Sequence, residues 1–139
     1  MLKLLAFAAM IVCAIALAAP AYAHGPYIVI VGSDSTHAFE TTVGGALARP
    51  GDVEAYAVSH CDQRYDSTDC RVLAGGRGGC VALSDDGPTL VAAWAETRSS
   101  AKAAVVAKLG DPDANVDIAR CIGDPGLVPP TGGSFWTTQ

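Results

Sequence analysis

Tyr27-Ile28-Val29-Ile30-Val31-Gly32-Ser33-Asp34 decides the fold, because the chain uses the same device twice. Its second use is Cys80-Val81-Ala82-Leu83-Ser84-Asp85-Asp86-Gly87. An apolar run stopped by Gly, Ser and Asp reads as a strand entering a turn. After the first use, residues 36–43 read as a hairpin partner with Phe39, Thr41 and Val43 on one face. After the second, residues 90–97 do the same, and Ala93-Trp94-Ala95-Glu96-Thr97 echoes Ala38-Phe39-Glu40-Thr41.

A helix follows each hairpin. Pro50-Gly51-Asp52 predicts a helix start within residues 48–60, with Asp52 as N-cap. Val53, Tyr56, Ala57 and His60 share one face of it. Ser99 or Ser100 is expected to cap the second helix, which runs to Leu109. Its stripe is Ala101, Ala104, Val105 and Lys108, and Gly110 sits at the left-handed cap position. Lys108 is expected to extend its head into water. Each helix leads to a further strand, at residues 71–74 and 116–122. The run Gly75-Gly76-Arg77-Gly78-Gly79 lacks the Lys-Ser/Thr of a phosphate loop and reads as a flexible joint.

The expected fold class is α+β. Two ββαβ repeats, about 27–74 and 80–122, share an antiparallel sheet with helices packed on one side. The tail at 123–139, rich in Pro and Gly, is expected to run extended and to be held by Phe135 and Trp136.

The first 23 residues are an address. Lys3 is their single charge, an apolar stretch follows, and Ala21-Tyr22-Ala23 ends in the small-residue pattern of a cleavage site. This reads as a secretory signal peptide, so the expected location is extracellular or in the cell envelope. Cys13 leaves with it, and the five cysteines of the 139-residue chain reduce to Cys61, Cys70, Cys80 and Cys121. An even set in an oxidising compartment implies disulfides, with three pairings open. The element order favours Cys61–Cys70, tying a helix end to the next strand, and Cys80–Cys121, tying neighbouring strands. The spacings lack the close C-x-x-C pairs of a zinc site.

Charge excludes some partners. The chain carries 9 basic and 14 acidic side chains, a net of −5, and the basic ones form no run. Nucleic acids and anionic membranes attract the opposite balance. Beyond the N-terminus no stretch of about 18 apolar residues remains, so no membrane insertion is expected after signal cleavage.

The segment from Tyr56 through Cys61, with Asp69-Cys70-Arg71-Val72, Cys80-Val81-Ala82-Leu83, the helix ending at Leu109 and the terminal Cys121, resembles a family of small exported actinobacterial, mycobacterial-type proteins. These carry a cysteine-bridged domain of unknown function. The resemblance covers roughly 27–122 and rests on cysteine order and spacing class. This chain departs in its longer Cys61–Cys70 loop, in Val31-Gly32 at the first strand end and in its Pro/Gly tail. The resemblance implies a secreted domain without established enzymatic activity and, for some members, host-directed action. It implies no functional residues.

Chemistry candidates are few. Cleavage after Ala23 makes His24 the mature N-terminal residue, whose amine and imidazole chelate Cu(II) when a second histidine, His37 or His60, completes the set. That start resembles copper-dependent polysaccharide oxygenases in its first two residues. Asp111, Asp113, Asn115 and Asp117 have calcium-loop spacing, but Val116 stands where the turn glycine belongs, and ordinary turn chemistry explains them. Asp62, Asp66 and Asp69 read as a solvated loop. Glu40 and Glu96 occupy equivalent places in the two halves and are expected to share a structural role on the outer face of each hairpin. No G-x-S-x-G and no free mature cysteine supply a nucleophile. The reading is therefore a non-catalytic factor that binds an unknown protein partner, with no cofactor and no catalytic residue assigned. The alternative is a small secreted enzyme or copper-binding protein using His24.

Overall fold

β1 (Tyr27–Gly32) is buried along its whole length. That follows from its sequence, since a run apolar on both faces needs a cover on both sides. The computed structural model describes residues 24–138, and the expected signal peptide lies outside them. β1 pairs antiparallel with β2 (Phe39–Gly44), α1 (Pro50–Tyr65) follows, and β3 (Arg71–Arg77) returns to the other side of β1. The second half repeats that order with β4 (Cys80–Ser84), β5 (Val91–Ala95), α2 (Arg98–Leu109) and β6 (Ile118–Cys121). A last strand, β7 (Phe135–Thr138), adds to β2.

The protein is α+β with two helices, two antiparallel sheets and two disulfides. The sheets have the orders β3-β1-β2-β7 and β5-β4-β6, so the expected shared sheet is corrected to two. The physical reason lies in the alternation of β1 and β4. Tyr27, Val29 and Val31 face α1, and Cys80 and Ala82 face α2. Ile28 and Ile30 meet Val81 and Leu83 in a third cluster between the sheets. One sheet with both helices on one side would leave those four side chains in water, a loss of roughly 2 kcal/mol each. Each helix does lie on one side of its own sheet, but the layers run helix, sheet, sheet, helix.

The glycine run is part of this packing and no joint. Gly75 and Gly76 belong to β3, and only Gly78 and Gly79 turn, both at positive φ. A Cβ on Gly76 would lie 2.4 Å from the Trp94 ring of β5. Trp94 lies flat on that gap and donates its indole N–H to the Gly78 carbonyl at 2.9 Å. The segment expected as a tail also joins the fold. Leu127 is fully buried in the cluster between the sheets, and Phe135 and Trp136 both lie in β7.

Several element ends differ from expectation. α1 continues through Cys61 to Tyr65, where Asp66 closes it in the left-handed conformation. Its N-cap is Arg49 without a side-chain cap, and Asp52 lies in the first turn. α2 is capped by Thr97, whose hydroxyl accepts from the Ser100 N–H, because that side chain sits one position outside the first turn. Lys108 is exposed and donates its ammonium to the Ala92 carbonyl at 2.7 Å. Cys61–Cys70 joins α1 to the start of β3, and Cys80–Cys121 joins cross-strand partners of β4 and β6.

Candidate functional site on both flanks of α1

α1 crosses its sheet with a core face of Val53, Ala57 and Cys61. On one flank, His60 reaches down to Glu40 of β2. Glu40 falls on the face opposite Phe39, Thr41 and Val43, which the strand period turns toward α1. Its side chain is 0% exposed, while that of His60 is 32% exposed. The His60 Nδ1–H donates to both carboxylate oxygens, at 2.8 and 3.0 Å. Tyr56 stacks on the imidazole with centroids 5.7 Å apart, and Phe135 of β7 closes on Tyr56 at 4.8 Å. A buried carboxylate needs such a partner, because an unpaired one costs several kcal/mol. The carboxylate in turn fixes the tautomer and ring orientation of the imidazole.

The expected shared role of Glu40 and Glu96 is thereby corrected. Glu40 lies under a helix, whereas Glu96 lies exposed beyond the end of β5. The α2 side of the second sheet holds Val91, Ala93 and Ala95 in place of an acid.

On the other flank, a groove of about 690 Å³ runs open to solvent between α1 and β3. Gly51, Glu54, Ala55, Val58 and Asp62 form its helical wall, and Val72 of β3 forms the opposite one. β3 is an edge strand, so among the described residues its outer backbone groups have no neighbouring strand. The two carboxylates of the wall also hold the fold. Glu54 accepts from the Tyr27 hydroxyl, and burial together with that carboxylate pushes the Tyr27 phenol above its ordinary 10.0. Asp62 accepts from the Cys70 N–H at 3.1 Å.

Asp69 is equally structural. It accepts from the Ser35 and Ser67 hydroxyls at 2.8 and 2.7 Å, and from Ser33. Those hydroxyls, Ser33 first, hold its carboxyl well below the ordinary 3.8. Of the solvated loop expected over Asp62, Asp66 and Asp69, Asp62 instead lies in the last turn of α1, while Asp66 and Asp69 are exposed after it, one as a left-handed cap and the other as a turn clamp.

The three histidines have three different surroundings. His24 is exposed at the start of the described residues, and His37 sits in the β1–β2 turn at φ 55 and pairs with Asp85. His60 is engaged by Glu40. Among the described residues no group of three or more His, Cys, Asp or Glu side chains is arranged to hold a metal. The calcium-like spacing resolves into turn contacts, with Asp111 accepting from the Asp113 N–H and Asn115 donating to Asp117, both at 2.9 Å.

Sequence reasoning placed His60 on the apolar stripe and Glu40 on the hairpin but did not join them. The face assigned to Phe39, Thr41 and Val43 carried the missing signal, since it leaves Glu40 pointing at the helix. The groove had no comparable signal, because it depends on how far α1 lies from an edge strand. No protein-family model, curated protein or solved structure matches the chain.

Proposed function

We propose that the protein is an exported, non-catalytic factor that works by binding another protein, outside the cell or in its envelope. Two disulfides support export, because such bonds persist in oxidising compartments. The resemblance to exported actinobacterial proteins supports it too, and with it a host-directed role. The observation that carries the binding reading is the 690 Å³ groove beside the edge strand β3. An extended segment laid there would add backbone hydrogen bonds to β3 and set side chains against α1. Glu54 and Asp62 on the wall, and the net charge of −5, favour a basic segment.

A photo-crosslinking side chain placed at exposed Ala55 tests this, with the same group at Ala103 of α2 as control. One protein is expected to crosslink from position 55 alone. Its affinity for the purified domain should then fall about tenfold on Val72→Glu, the scale of one lost contact pair. Equal crosslinking from both positions, or an unchanged affinity, refutes the groove.

A second reading, a small enzyme, has one observation in its favour. A buried carboxylate orienting a partly exposed imidazole is a general-base arrangement. It ranks second because, among the described residues, no hydroxyl or thiol is hydrogen-bonded to His60 and all four cysteines are bridged. Hydrolysis of a model ester or glycan that disappears in His60→Gln would favour it. The copper form of this reading requires tight Cu(II) binding that is lost when His24 is replaced.

A further inference from the structure

A second cavity, of about 360 Å³, opens at the far end of the other half. It lies between the end of β4, the β4–β5 turn, the last residue of α2 and the loop that follows. Ser84 lines it, is 1% exposed, and has the one buried side-chain oxygen among the described residues without a hydrogen-bond partner. Leaving a buried hydroxyl unpaired costs about 1–3 kcal/mol, so a native fold keeps one only where something repays it.

The rim defines the chemistry of that partner. Asp86, Asp111 and Asp113 line the cavity, and none of them is ion-paired to a described Lys, Arg or His. The C-terminal end of α2 at Leu109 adds the negative end of the helix dipole. The nearest cation on that helix turn, Lys108, is committed to the Ala92 carbonyl. Leu109 and Ala114 add apolar wall. Asn115 lines it too, but its amide N–H is given to the Asp117 carboxylate, so the site is rich in acceptors, anionic, and apolar on one side. A metal ion is disfavoured, since no group of three acidic or imidazole ligands is arranged for one among the described residues.

We propose that this cavity binds a primary ammonium group carried on an alkyl stem. The ammonium has three donors and no acceptor, which matches carboxylates plus the Ser84 hydroxyl acting as acceptor. The stem lies on Leu109 and Ala114. A free diamine and a lysine side chain present the same group, and the experiment separates them. The inference does not depend on the α1–β3 groove, which lies in the other half.

The test is a titration of the full disulfide-bonded protein followed by amide NMR shifts, with 1,4-diaminobutane in one arm and a blocked lysine peptide in the other. Saturable shifts confined to residues 84–87 and 109–115 are expected in at least one arm. Saturation by the diamine alone assigns a free amine, and saturation by the peptide assigns a protein-borne lysine. Asp113→Asn should weaken binding about tenfold, the loss of one charge-assisted bond. Ser84→Ala should weaken it by several-fold while leaving the unliganded protein as stable as before or more so, because it removes an unpaired buried hydroxyl. A structural role for Ser84 would instead lower the melting temperature. Absence of saturation in both arms, equal affinity in Asp113→Asn, or the same shifts produced by calcium chloride alone would each overturn the proposal.

Discussion

Under α1 the first sheet presents Tyr27, Val29, Val31, Glu40 and Thr42, and under α2 the second presents Cys80, Ala82, Val91, Ala93 and Ala95. The two halves have the same element order, and in each the first strand lies between the other two. Identical wiring thus accepts two opposite fillings. The second half closes its helix onto alanine, valine and cysteine, and the Ser84 hydroxyl at the end of β4 is the one buried side-chain oxygen among the described residues left without a partner. The first half uses large and polar side chains, and each demands a partner: Glu54 for Tyr27, His60 for Glu40, Thr137 for Thr42. Polar chemistry under a helix is therefore a property of side-chain choice and not of topology.

The covalent ties differ in the same way, and their removal gives the largest expected effect. Cys80–Cys121 closes 41 residues and Cys61–Cys70 closes 9. Chain entropy puts their loss at about 4 and about 2.5 kcal/mol respectively. Paired alanine substitutions compared by urea unfolding should reproduce that order. The reverse order would mean that α1 depends on its tie beyond loop closure, making the first half the weaker one.

Next in size is Leu127→Ala. Leu127 lies after both halves yet is fully buried between their sheets. Truncating it should cost about 3 kcal/mol, the range of a buried leucine with partial collapse of the cavity. A cost near zero would detach residues 123–139 from the domain and leave the two halves to hold each other alone.

The strands β1 to β6, both helices and both disulfide pairs were legible because each rests on a local pattern: apolar runs, helical spacing, cysteine order; β7, in the segment expected as a tail, was not. The division into two sheets was legible in principle. Tyr27 to Val31 is continuously apolar, and that implies a cover on both faces. The repeat drew attention to one sheet instead. Gly75 and Gly76 could not be read locally, since what they accommodate is the Trp94 ring of another sheet. The same holds for Glu40 with His60, and for Asp69 with Ser33 and Ser35, whose partners come from distant elements. Local grammar gives elements, and the site arises from what those elements bring together.

The polar filling of the first half is tested by giving it the filling of the second. His60→Ala leaves the buried Glu40 carboxylate unpaired, and should cost about 2 kcal/mol, moderated by water reaching the partly exposed imidazole position. Adding Glu40→Val, the side-chain type that β5 uses, should recover most of that loss. Recovery in urea unfolding would show that the pair is dispensable for folding and leave function as the reason for keeping it. A further loss in the double variant would show that the space under α1 cannot close on apolar side chains.

The smallest expected effect concerns acid. Three carboxyls are held below their ordinary 3.8: Asp34 by the Leu90 N–H and then Arg71, Asp69 by the hydroxyls of Ser33, Ser67 and Ser35, and Asp124 by Arg98 and then the Cys121 N–H. A carboxyl with a lower pKa folded than unfolded stabilises the fold at pH above its unfolded value. That contribution drains away as pH falls below about 3.8 and through the folded value. Two of the three, Asp34 and Asp69, serve the β1–β2 turn of the first half, where they tie it to β3 and to the start of β5. Asp124 ties the end of β6 to the start of α2. All three are solvent-accessible enough that screening keeps each effect small. Asp34→Asn with Asp69→Asn should therefore flatten the fall of the urea midpoint between about pH 4 and about pH 2 more than Asp124→Asn does. An equal slope in both variants would place the acid sensitivity elsewhere, and a steeper slope in Asp124→Asn would make the second half the one that acid opens first.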